Sequence, residues 1–65
     1  MDEQQAKALA EIIEGEPWNS GGDIWLVCRE RQDGHIVAFS DESVCEYASK
    51  EALENGSPIS SIVIV

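Results

Sequence analysis

Residues 23–40 read Asp23-Ile24-Trp25-Leu26-Val27-Cys28-Arg29-Glu30-Arg31-Gln32-Asp33-Gly34-His35-Ile36-Val37-Ala38-Phe39-Ser40, and this stretch decides the fold. Two runs rich in apolar, β-branched and aromatic residues flank Gln32-Asp33-Gly34, the composition of a β-hairpin with strands Asp23–Gln32 and His35–Ser40. A three-residue loop puts Gly34 in the left-handed conformation; a two-residue Asp-Gly turn is the alternative and would shift the register. With the three-residue loop, Trp25, Val27, Arg29 and Arg31 share a face with His35, Val37 and Phe39. Ile24, Leu26, Cys28 and Ala38 share the opposite face. Both faces are apolar at the hairpin's base and polar at its tip, so the base must be covered on both sides or left open to a partner.

Upstream, Ala6, Leu9, Ala10 and Ile13 recur at helical spacing and form a narrow apolar stripe. Asp2 is the expected N-cap, with Gln5 at the capping-box position; Gly15 ends the helix and Pro17 prevents its resumption. An alanine-rich stripe suits close approach to a flat sheet. Residues 17–22, Pro-Trp-Asn-Ser-Gly-Gly, read as a flexible connection.

Downstream, Ser40 to Gly56 has two readings. The favoured one is a single helix from about Asp41 to Asn55-Gly56, with Val44, Cys45, Ala48 and Ala52 on one side. In the other, Val44 to Tyr47 is a short strand and Ser49 caps a helix through Glu54; Leu53 fits the long helix poorly. The tail from Ile59 to Val65 reads as a strand, and its last four residues, all β-branched and apolar, call for burial on both faces or against a partner. Placing it beside the hairpin, with its second face closed by the first helix or a second subunit, meets that demand. The expected fold is α+β in a single domain, residues 1–65: a small antiparallel or mixed sheet (hairpin plus C-terminal strand) with two helices packed mainly on one face.

Thirteen acidic residues face four basic ones, a net charge of −9 and a pI near 4.1. Nucleic-acid backbones and anionic membranes are recognised by clustered Lys and Arg, so neither is an expected partner. Hydrophobic content of 43% is ordinary for a folded chain, so the acidity does not imply disorder. Two cysteines are too few for a secreted disulfide scaffold, and no signal-like or membrane-spanning run is present. The expected setting is the cytoplasm, with both thiols free.

No catalytic constellation stands out. Cys28, His35 and Cys45 lack the paired spacing of a zinc site, and both cysteines sit among apolar residues, where the thiol acts as a small hydrophobe. The carboxylates offer many pairs and no reason to single one out; most belong on solvated faces. No cofactor, metal or enzymatic activity is expected. Trp18 either pins its loop to the core or serves as a binding anchor. Arg29 and Arg31, with His35 across the turn, form the one basic spot, paired either with the chain's own acids or with an anionic partner. These four residues are the candidate partner contacts. The expected function is a non-enzymatic module that binds a protein partner or another copy of itself. The rival is an acidic mimic of nucleic acid that blocks a basic cleft.

Overall fold

The computed structural model describes residues 1–64. Helix α1 (Glu3–Ile13) starts as its capping box dictates: the Gln5 N–H donates to the Asp2 carboxylate at 2.8 Å, and the Asp2 N–H donates to the Gln5 side chain at 3.1 Å. Ala6 and Ala10 are buried, so the helix axis lies close to the sheet. Glu14 closes α1 in the left-handed conformation, φ 60°.

The remaining elements are β1 (Glu16–Gly21), β2 (Ile24–Glu30), β3 (Ile36–Phe39), β4 (Ser43–Tyr47), α2 (Lys50–Asn55) and β5 (Ser60–Val63). All five strands form one antiparallel sheet in the order β1-β2-β3-β4-β5. The chain is α+β, with the sheet dominant over two short helices. The central hairpin has the three-residue loop: the Arg31 N–H donates to the His35 carbonyl at 2.7 Å, and Gly34 has φ +88°. Arg29 pairs with Val37 and Val27 with Phe39, so the two faces divide as the sequence implies.

Four expectations are corrected. Residues 17–22 are mostly strand rather than a flexible connection. The Asn19 side chain spans the following turn, accepting from the Gly21 N–H at 2.7 Å and donating to the Gly22 carbonyl at 3.2 Å. Pro17 is tolerated because β1 is an edge strand, where alternate N–H groups face no neighbour.

The long helix from Asp41 is also replaced, by β4 and the six-residue α2. Pairing with β3 sets Tyr47 opposite Ile36 and Cys45 opposite Ala38, which completes an apolar layer that a helix would have left open. The Ser49 hydroxyl caps α2 by accepting from the Ala52 N–H at 3.2 Å, and Leu53, the misfit of the long helix, becomes the buried residue of α2.

The two helices, expected on one face, lie on opposite faces. Ala6 and Ala10 of α1 pack with Val27, Trp25 and Phe39, whereas Leu53 of α2 packs with Ile36, Ala38 and Tyr47, and these strand residues alternate. An apolar base on both faces of the hairpin needs a cover on each side.

Finally, the tail strand runs over Ser60–Val63 and pairs with β4 rather than lying beside the hairpin. Val65 lies outside the described residues.

Candidate interaction surface

The two helices cover the sheet unequally. Helix α1 rests on β1 and β2, and α2 lies against β4 on the other face. On the α1 face, the strip beyond β3 therefore has no helix above it. Val44 and Ile62, paired across β4 and β5, occupy that strip, and the strand alternation carries Ile64 to the same side. Ile62 is 67% exposed and Ile64 61%; Val63, on the α2 face, is 72% exposed. Ile12, also exposed, lies on the flank of α1 that carries Leu9 rather than the flank of Lys7. Among the described residues, Ile59, Ile62, Val63 and Ile64 gather exposed in and beside β5, whereas the exposed Ile12 on α1 and Ile24 on β2 lie apart from that edge.

That edge has an uncommon composition. Natural edge strands are protected by charge, proline, bulges or a covering element. Ser60-Ser61-Ile62-Val63 has no charged residue, proline or glycine, and residues 55–64 hold no charge at all. Its main-chain polarity follows from the pairing. The Ile64 N–H donates to the Glu42 carbonyl at 2.8 Å, so Ile62 and Ile64 direct their main-chain groups toward β4. Ser61 and Val63 therefore direct theirs outward.

Of the four candidate partner contacts, the structure brings Arg31 and His35 together and leaves Arg29 and Trp18 apart from them. The Nδ1–H of His35 donates to the Glu46 carboxylate at 2.6 Å, the proton placed on Nδ1 because a carboxylate only accepts. Arg31 reaches the same Glu46 carboxylate at 3.2 Å and Asp33 at 3.2 Å. The His35 main-chain N–H holds the Asp33 carboxyl below its ordinary pKa, and the Arg31 charge adds to the effect. The basic spot is thus paired with the chain's own acids, a local network on a partly exposed surface. Arg29 projects on the same face beside Val37 and, among the described residues, makes no ion pair.

Trp18 stands on the opposite face, in β1, packed against the Ile36, Ala38, Tyr47 and Leu53 cluster. Its indole bounds a shallow groove of about 360 Å³ between β1–β2 and α2, with Cys28, Ile36, Leu53 and Lys50 among the walls. Its role as a core pin is thereby visible, and no geometry links it to the Arg31–His35 network.

Cys28 and Cys45 are free and share the α2 face. Ala38 lies between them in the register, so their Cα atoms are about 9–10 Å apart, beyond the roughly 7 Å a disulfide spans. Burial, reinforced by the Glu16 charge, pushes the Cys28 thiol up to about 11. The Cys45 thiol donates to the Ser61 hydroxyl at 3.4 Å, tying β4 to β5. Burial, then the neighbouring Cys45, raises the Tyr47 phenol above its usual value. Among the described residues no group of three or more His, Cys, Asp or Glu side chains is arranged to hold a metal ion, and no helix is long and apolar enough to cross a membrane.

Sequence reasoning missed Glu46 as the partner of Arg31 and His35. The signal was present in Ser43-Val44-Cys45-Glu46-Tyr47, whose alternation as a strand sets Val44 and Glu46 on one face. No protein-family model, curated protein or solved structure matches the chain.

Proposed function

We infer that this chain is a non-enzymatic protein-interaction module whose contact surface is β5 with the adjoining uncovered strip of β4. One observation carries the reading: a sheet edge with no charge or proline, whose Ile62 and Val63 stand exposed on opposite faces. Such an edge attracts another strand, and natural proteins suppress it unless it is used. The Arg31–His35–Glu46 network lies on the same face, at the other end of β4 and β5, and borders the surface rather than forming it. The acidic-mimic reading has less support, because Glu3 and Glu11 on α1 and Glu51 and Glu54 on α2 stand on opposite sides of the sheet rather than in one row.

The test is capture of partners by the wild-type chain and by Ile62→Lys, with circular dichroism confirming that the variant folds. Loss of the captured proteins, or of self-association, in Ile62→Lys supports the surface. Identical capture and association by both chains would place the contact elsewhere.

A further inference from the structure

The geometry points to a second copy of this chain as the occupant of that edge, with β5 pairing antiparallel to β5 of the partner subunit across a two-fold axis at Ile62. This inference rests on the reading of β5 as the interaction surface and adds the partner and the register.

The register follows from which main-chain groups are already used. Ile62 and Ile64 spend their N–H and C=O groups on β4, leaving those of Ser61 and Val63 facing outward. A two-fold axis beside Ile62 sets Ser61 opposite Val63 of the partner subunit, and Val63 opposite Ser61 of the partner subunit. Both pairs are then of the hydrogen-bonded type, and each outward donor meets an outward acceptor. Ile62 faces its own copy as a non-hydrogen-bonded pair, the closer kind, with Cα atoms about 4.5 Å apart. Such a contact is isologous and closes on itself, so it yields a dimer rather than a fibre.

Charge selects a copy over a cationic partner. The chain carries −9, which favours basic partners at a distance, yet residues 55–64 present no carboxylate for such a partner to engage. Two copies bring an uncharged edge to an uncharged edge. The nearest acids, Glu42 and Glu46, stand one strand behind the contact, opposite Ile64 and Ser60. They lie about 10 Å from the partner subunit's β5 by strand spacing, where a screening length of about 8 Å at physiological salt weakens their repulsion. The apolar strip supplies the second component. In the dimer, Val44 and Ile62 of both subunits lie side by side on the α1 face, forming one band across a ten-stranded sheet. Four residues of edge cover far less than the roughly 1,600 Å² of a standard interface, so the dimer is weak and governed by concentration.

The experiment is sedimentation equilibrium of the full chain over a rising concentration series at physiological salt, for the wild type, Ser61→Pro and Ile62→Cys. Proline at 61 removes an outward N–H and the hydroxyl that accepts from the Cys45 thiol, while sparing the main-chain bonds to β4. The expected result is a monomer–dimer equilibrium that Ser61→Pro weakens by about tenfold or more, since the two-fold axis removes two hydrogen bonds at once. Treated with oxidised glutathione, which takes the two electrons and leaves as two reduced thiols, Ile62→Cys is expected to form a disulfide linking position 62 to position 62, because the Cα separation of about 4.5 Å lies within disulfide range. A wild-type chain that stays monomeric to its solubility limit overturns the second copy; the capture experiment then decides the surface itself. A dimer that Ser61→Pro leaves intact and that forms no cross-link through position 62 overturns the edge pairing. Should Ser61→Pro unfold, the Ile62→Cys cross-link decides alone: its formation supports the register, its absence overturns it.

Discussion

Replacing Gly15 by alanine is the sharpest test of how α1 docks. An added Cβ at this position would lie 2.6 Å from the Cys28 carbonyl oxygen, 3.2 Å from Cγ1 of Val27 and 3.3 Å from the Cys28 carbonyl carbon. The first contact is with the main chain of a central region of the sheet, which cannot rotate aside as a flexible side chain would. The α1–β1 connection must therefore retreat from β2, opening the packing around Val27, which is 0% exposed. Overpacking of this kind costs about 1–3 kcal/mol, and the rigid obstacle argues for the upper half of that range. Stiffening the unfolded chain by Gly→Ala offsets about 0.4–1 kcal/mol. The net loss of about 1.5–2 kcal/mol is a large share of the roughly 3–10 kcal/mol expected for a domain of this size. It should lower the melting temperature by about 10 °C, at roughly 4–8 °C per kcal/mol. Thermal and urea unfolding followed by circular dichroism measures it, with Gly22→Ala as the comparison. Gly22 has φ +56° and open space around it, so alanine there meets backbone strain of about 1–2 kcal/mol without a clash. A Gly15→Ala chain melting within about 3 °C of the wild type would refute the close approach of the connection to β2.

Three further outcomes are expected. Leu53→Ala, at the buried centre of the α2 cluster, should cost about 2–5 kcal/mol, whereas Ile62→Ala in dilute solution should cost under about 1 kcal/mol; denaturant titrations that reversed the order would show β5 to be buried in the monomer. Cys28 should alkylate slowly at pH 8 in the native state, its rate still rising toward pH 11. Because its folded value lies above the unfolded one, the folded chain holds the proton more tightly. Its stabilising contribution is full below about pH 8.5 and is lost as pH rises toward 11. A Cys28→Ala chain should lose less stability over that window, and equal losses would refute the assignment. Added salt should raise the melting temperature, since −9 on a small chain is self-repelling; a fall on reaching about 0.1 M, where screening acts within about 10 Å, would mean that pairs such as Arg31–Glu46 outweigh the repulsion.

What the amino-acid sequence determined by itself was local. The capping box of Asp2 and Gln5, the stripe of Ala6 and Ala10, and the Gln32-Asp33-Gly34 loop each involve residues within a few positions of one another, so their chemistry is complete before any distant segment arrives. The correct division of Val27 and Phe39 from Cys28 and Ala38 followed from that loop alone. The uncharged apolar tail was equally legible as a surface in need of a cover.

Tertiary structure decided the rest, because strand pairing and layer packing are non-local. Pro17 and the two glycines hid β1, whose pairing with β2 and edge position override a weak local preference. Residues 43–47 suit a helix or a strand on their own, and the open edge of β3, with Ile36 and Ala38 needing neighbours, selected the strand. The same pairing carried Glu46 to Arg31 and His35, tying up the basic spot. It also placed β4 between the hairpin and the tail, which moved β5 beyond the reach of α1. The exposed edge that defines the proposed function is thus a consequence of sheet order, a property that no segment of the chain possesses alone.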